Sequence, residues 1–182
     1  MAAPLTPREV AELLRSAATA LSAELRALPE AALAWHPAPG EWCVNEVLGH
    51  LIEAERRGFA GRIRTILDAA EPELTAWDQE AVARERRDCG RDSSTLLTEL
   101  AALREVSAAL VAGLRATDLE RGGHHPKVGY LRVDELLHEW VHHDRNHIRQ
   151  ILANVQAFVW PGMGNAQRFS QLEAGSPPAS QP

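Results

Sequence analysis

Cysteine is scarce in this chain: Cys43 and Cys89 are the only two among 182 residues. They are far apart in sequence and form no C-x-x-C pair, so no disulfide framework is expected and a reducing cytoplasm is the expected setting. No apolar run is long enough to span a bilayer, and no segment has the pattern of a signal peptide, so no membrane role is expected. Positive charge is also short. Nineteen Lys and Arg stand against 25 Asp and Glu, for a net charge of −6 and a pI near 5.7. A nucleic-acid partner, which needs a basic face, is not expected. Convincing strand-like alternation is absent too. With 45% hydrophobic and 24% charged residues the chain has the make-up of a soluble folded domain.

What is abundant is helix-forming sequence: Ala, Leu, Glu and Arg. Thr6 and Glu9 have capping-box spacing with Pro7 between them, which starts a first helix. Its apolar stripe, Val10, Leu13, Leu14, Ala17, Leu21 and Leu28, ends at Pro29. A Pro-rich connection to Gly40 carries Trp35 and His36. Apolar spacing predicts a second helix over Val44–Leu67, a third over Ser94–Ala116 and a fourth over Arg132–Phe158, ending before Pro161-Gly162. A short helix is expected around Asp78–Arg87 in an otherwise irregular, polar stretch. Residues 1–165 read as one all-α domain, a four-helix bundle with connections long enough for crossovers and a lid. Residues 166–182 read as a disordered tail.

The fourth helix holds four histidines within ten residues: His138, His142, His143 and His147. They form two i, i+4 pairs, each able to chelate one ion from one helix face. His138/Glu139/His142 matches the H-E-x-x-H pattern of zinc peptidases. Helical phase separates the pairs. At roughly 100° per residue, His147 lies inside the apolar arc of Val133, Leu136, Leu137, Trp140, Ile148 and Ile151, and His143 lies on its flank. By the same step His138 and His142 sit about 120–160° from the centre of that arc. They and Glu139 should face water, so the peptidase match is read as accidental. Asp144 faces the apolar centre, either orienting a ligand histidine or pairing with an arginine such as Arg62. Trp140 reads as core.

Two histidines make half a site, because a catalytic metal usually takes three protein ligands and keeps one position open. His50, well inside the second helix on a flank with Val47, Ala54 and Gly61, is the best third ligand. His124 and His125 occupy a glycine-flanked loop; a polar turn explains them more simply than a place at a pocket mouth. The run Arg84–Asp88 reads as a solvated mixed-charge face.

The segment Trp42-Cys43-Val44-Asn45-Glu46-Val47-Leu48-Gly49-His50-Leu51, followed by Glu53, resembles the W-x-x-x-E-x-x-x-H-L segment of the DinB/YfiT-like superfamily. His143-Asp144-Arg145-Asn146-His147-Ile148-Arg149-Gln150-Ile151 resembles its H-D-x-x-H-x-x-Q-I segment. The resemblance covers roughly residues 5–160. It implies an up-down-down-up bundle, often a homodimer, with a divalent metal (zinc, nickel, iron or manganese) on His50, His143 and His147. One departure is Cys43, which stands where many relatives have Ser or Thr as a helix N-cap. A cysteine there can have a lowered pKa. Cys89 gives no signal.

The implied activity is metal-dependent chemistry on a small molecule: hydrolysis, or S-transfer from a low-molecular-weight thiol such as bacillithiol or mycothiol. A thiol cofactor would need basic groups for its carboxylates, and Arg56, Arg57, Arg62, Arg64 and Arg145 are available. No general base is evident outside the metal site. The alternative is a non-catalytic, metal-binding or stress-associated bundle.

Overall fold

A computed structural model of the chain describes residues 4–170. Thr6 caps α1 (Pro7–Leu25): its amide donates to Glu9 Oε2 at 2.7 Å, and the Glu9 amide donates back to its hydroxyl at 3.3 Å. The helix stops three residues short of the expected end, and Pro29 opens a single-turn helix, α2 (Glu30–Leu33). The expected second helix is present but broken. It comprises α3 (Val44–Glu53), a π-helical turn over Ala54–Gly58, and α4 (Ala60–Asp68). In that turn the Phe59 amide bonds to the Ala54 carbonyl at 2.8 Å, one residue further than an α-helix allows. Gly61 permits it, since a Cβ there would stand 2.3 Å from the Arg56 carbonyl oxygen. The small residue serves its own helix, not the approach of a neighbour or a ligand.

Asp78 caps the expected short helix, α5 (Gln79–Arg86). Asp92 caps α6 (Ser93–Ala112), which ends at Gly113, and α7 (Ala116–Leu119) follows. The loop expected between the third and fourth helices contains a hairpin: β1 (Gly122–His125) pairs antiparallel with β2 (Gly129–Arg132). The longest helix, α8 (Val133–Val159), follows directly. A 3-10 turn spans Trp160–Ala166, and residues 167–170 are helical. The rest of the expected tail lies outside the described residues.

Side-chain contacts set the relative directions of the four long elements. The Leu5 amide meets His138 and Arg145 reaches the Leu13 carbonyl, so α1 and α8 run parallel. Arg15 meets Glu105 while Leu21 and Leu25 pack with Leu96 and Leu100, so α1 and α6 run antiparallel. Asn45 bonds Ser93 and Glu55 meets Arg104, so α3 and α6 run parallel. Asn154 reaches the Trp42 carbonyl while His50 meets His143, so α3 and α8 run antiparallel. The result is a four-helix bundle.

Its core has two apolar clusters, one around Leu14, Ile63, Val111 and Trp140, the other around Leu21, Leu48, Leu51, Leu100 and Ile151. Arg104, 1% exposed, is buried with two carboxylates. Its guanidinium grips both oxygens of Asp144 at 2.8 and 3.1 Å and contacts Glu55 at 3.0 Å. Burying a charge costs several kcal/mol (roughly) unless its partners are this well placed. Among the described residues no helix is long and apolar enough to cross a membrane.

Candidate metal centre

His50 projects from α3 and is 6% exposed; His143 and His147 project from α8, one turn apart, and are half-buried. One ring nitrogen of each lies within 4.8 Å of those of the others. His50 Nε2 and His143 Nε2 are 3.0 Å apart. Two imidazole nitrogens bound to one ion at about 2.0–2.1 Å stand roughly 2.9–3.4 Å apart, depending on the coordination angle. The spacing of this pair falls in that span, and the His147 donor atom lies within 4.8 Å of both, so the three imidazoles can converge on one divalent ion.

The protonation states fit as well. Burial, with the His147 ring alongside, pushes His50 down to about 4. Burial and the other two imidazoles push His143 down to about 3. Burial lowers His147 too, against an opposing pull from Gln150 and Asp144. All three are neutral near pH 7, the form that binds a metal. His147 is oriented by a hydrogen bond, its Nδ1 lying 2.8 Å from Gln150 Oε1. His50 and His143 are held by packing instead, because their Nδ1 atoms are buried without partners. Trp42 and Trp77 flank His50, with ring centroids 5.2 and 5.7 Å away, and Phe59 meets His143 at 5.1 Å.

His50 and His143 line a cavity of about 680 Å³. Ala54, Phe59, Leu131 and Leu136 give it apolar walls, and Trp77 and Val128 close its sides. The two long connections meet over it. The Leu74 amide donates to the His124 carbonyl at 2.8 Å, and the His124 amide donates to the Pro72 carbonyl at 2.8 Å. That stitching carries Ala76 and Trp77 to the cavity on one side and His125 and Lys127 on the other.

The remaining candidates separate cleanly. His125 lines the cavity, whereas His124 is exposed and packs on Tyr130; both stand in β1 and not in the expected polar turn. Arg62 also lines the cavity, 3.2 Å from His125 Nε2, and forms no ion pair among the described residues. Arg56 and Arg57 are engaged by Glu53 at 3.2 and 2.6 Å, and Arg145 bonds to α1. Asp144 pairs with Arg104, not Arg62. His138 and His142 are exposed, as phase predicts, and gather no third ligand among the described residues. Glu139 is exposed but borders the cavity mouth. The run Arg84–Asp88 is not uniformly solvated. Arg86 joins Glu53 to Asp88, which is 2% exposed and packs where a Cβ on Gly49 would collide with it.

Cys43 occupies the N-cap of α3, and Glu46 accepts from its amide at 2.9 Å. Burial, with Cys89 beside it, pushes its thiol well above the usual range, so the lowered pKa open to a helix N-terminal cysteine is not realised.

Residues 12–151 match the family model of the DinB superfamily. The chain is 27% identical to the uncharacterised protein YuaE of Bacillus subtilis over 140 residues, covering 70% of this chain and 86% of YuaE. A protein of Bacillus licheniformis, named provisionally as a metal-dependent hydrolase, is 28% identical over 156 residues, covering 84% of this chain and 83% of its own. Another from Oceanobacillus iheyensis, named the same way, is 23% identical over 121 residues, covering 66% and 69%. Among solved structures, YfiT from Bacillus subtilis superposes with a TM-score of 0.76 at 21% identity, over 84% of this chain and 87% of YfiT. It is described as a probable metal-dependent hydrolase with an unusual four-helix bundle topology. With the family model spanning most of its length, this chain belongs to the DinB superfamily.

Proposed function

We propose that the chain is a metal-dependent hydrolase of small molecules whose divalent ion is held by His50, His143 and His147. The observation that carries this reading is the convergence of three neutral imidazoles, from two helices, beside an open cavity of about 680 Å³. The names of the relatives from Bacillus licheniformis and Oceanobacillus iheyensis support the same chemistry. A divalent ion there would supply Lewis acidity, activating a nucleophile or polarising a carbonyl.

The chain's own residues would do the rest. Gln150 fixes the His147 tautomer so that Nε2 is free. Trp42, Trp77 and Phe59 keep His50 and His143 in place and exclude water from one side. The apolar walls seat a small organic group. Arg62, with His125 and Lys127 along the same cavity, presents positive charge to an acidic substituent.

That unpaired Arg62 favours a second reading, S-transfer from a low-molecular-weight thiol. Glutathione and bacillithiol carry carboxylates that Arg62 and Lys127 could bind. The homodimer implied by the family resemblance belongs to the same proposal.

The test is an assay of metal-loaded protein against ester and amide panels, with thiol conjugation to electrophiles in parallel. Glutathione, bacillithiol and mycothiol would be the thiols. Hydrolysis that disappears in His143→Ala supports the first reading, and thiol-dependent conjugation supports the second. Tight metal binding with neither activity supports a non-catalytic bundle.

A further inference from the structure

Cys43 and Cys89, remote in sequence, lie together at the opposite end of α3 from the π-helical turn. With His36 and Glu46 they form a second group in which one donor atom of each residue lies within 4.8 Å of the others. We propose that His36, Cys43, Cys89 and Glu46 form a second metal site, selective for a soft or borderline divalent ion such as zinc.

The donor set is two thiols, an imidazole and a carboxylate, all established zinc ligands, and four of them complete a tetrahedral shell. A closed shell of this kind suits a structural ion. It differs from the three-histidine set beside the cavity, and sulfur donors select zinc over manganese or magnesium.

The surroundings are built for the purpose. His36 Nδ1 lies 2.7 Å from the Glu41 carbonyl oxygen and so must donate to it, which leaves Nε2 as the lone-pair nitrogen. That Nε2 is 3.3 Å from Cys89 Sγ. The Glu46 carboxylate is fixed by the Cys43 amide at 2.9 Å, and Cys43 Sγ receives the Glu46 backbone N–H. Such outer hydrogen bonds orient ligands and stabilise thiolate charge. Both cysteines are free thiols. Cys43 is wholly buried, whereas Cys89 lines a separate cavity of about 300 Å³ that gives an ion access.

Binding would release one proton from each thiol, and the ion would supply the positive charge that two adjacent sulfur anions need. The site would also tie three separate segments together: the connection after α2, the start of α3, and the 3-10 turn Asp88–Gly90. It stands roughly 10 Å along α3 from His50, seven residues at about 1.5 Å each, so the two sites can be emptied independently.

The experiment is cobalt titration of the reduced, metal-stripped full-length chain. Thiolate ligation gives an intense near-ultraviolet charge-transfer band that histidine ligation does not. The expected result is a band that saturates with one ion in wild type and in His50→Ala, and that falls to half or less in Cys89→Ser and is weakened in His36→Ala. Cys89 and His36 are the outer residues, so these variants leave the buried Cys43 in place, and circular dichroism checks that both fold. Reduced wild type that takes up cobalt without the band would overturn the proposal, whether or not the thiols pair as a disulfide in air. A band of undiminished intensity in folded Cys89→Ser would overturn it as well.

Discussion

His147 Nδ1 and Gln150 Oε1 are 2.8 Å apart on the same face of α8. An amide oxygen can only accept, so Nδ1 carries the hydrogen and Nε2 is left to bind an ion. Removing the acceptor frees the tautomer and the ring. Gln150→Ala is expected to weaken metal affinity by about 10–100-fold, while Gln150→Glu, which still accepts, should retain it. Competition with a coloured chelator measures both.

The depressed histidines make the metal-free protein sensitive to mild acid. Each has a folded pKa below its unfolded value, so between the two the unfolded chain binds more protons and stability rises with pH. Their neutral-form stability is therefore complete above about 6.5 and is lost as pH falls, down to about 4 for His50 and about 3 for His143. Most carboxylates remain ionised above about 4.5. Glu55 and Asp144, raised by burial, act against the histidine trend but are common to wild type and variant, so over the window from there to about 6.5 the difference between the two isolates the histidines. Urea denaturation of metal-free protein should show unfolding free energy falling there by up to about 1.4 kcal/mol per pH unit for each histidine. His50→Gln/His143→Gln should flatten that slope.

Arg104 should be indispensable singly and replaceable in company. Arg104→Met strands Asp144 and Glu55 as unpaired buried carboxyls, an expected loss of about 3–5 kcal/mol. Replacing all three with apolar residues of similar size, Arg104→Met, Asp144→Leu and Glu55→Leu, should recover most of it. Denaturant midpoints of the single and triple variants decide the point.

The π-helical turn predicts opposite behaviour for two glycines three residues apart. In an ordinary helix Gly→Ala gains about 1 kcal/mol. Gly58→Ala would place its Cβ at an ordinary 3.6 Å from the Ala54 Cβ and should be tolerated or stabilising. Gly61→Ala would press against the Arg56 carbonyl and should lower the melting temperature. It should also disturb the cavity wall formed by Phe59, which a change in tryptophan fluorescence would report, since Phe59 stacks on Trp140 at 5.0 Å.

Helical phase was enough to choose His143 and His147 over His138 and His142 and to bury Asp144, because α8 is long and regular. The partner of Asp144 was also legible, though easily passed over. Arg104 interrupts the stripe Leu97, Leu100, Ala108, Val111 on α6, and a charge inside an apolar stripe needs a buried counter-charge. The π-helical turn had no comparable signal, since it changes the phase without changing the composition. The hairpin was hidden for another reason. Its first strand, Gly122–His125, lacks alternation because it is held by backbone bonds to Pro72 and Leu74 as well as by its own pairing. Cys43 and Cys89 meet only through the tertiary fold, so their separation in sequence concealed the second donor cluster.

The central claim is the three-histidine site, and metal content tests it most directly. Elemental analysis would be made on purified protein in a Cys89→Ser background, which removes the second donor cluster from the count. One ion per chain is expected in that background, and none when His50→Ala or His143→Ala is added, with the helical content of both unchanged. A full equivalent of metal retained in both histidine variants would contradict the account.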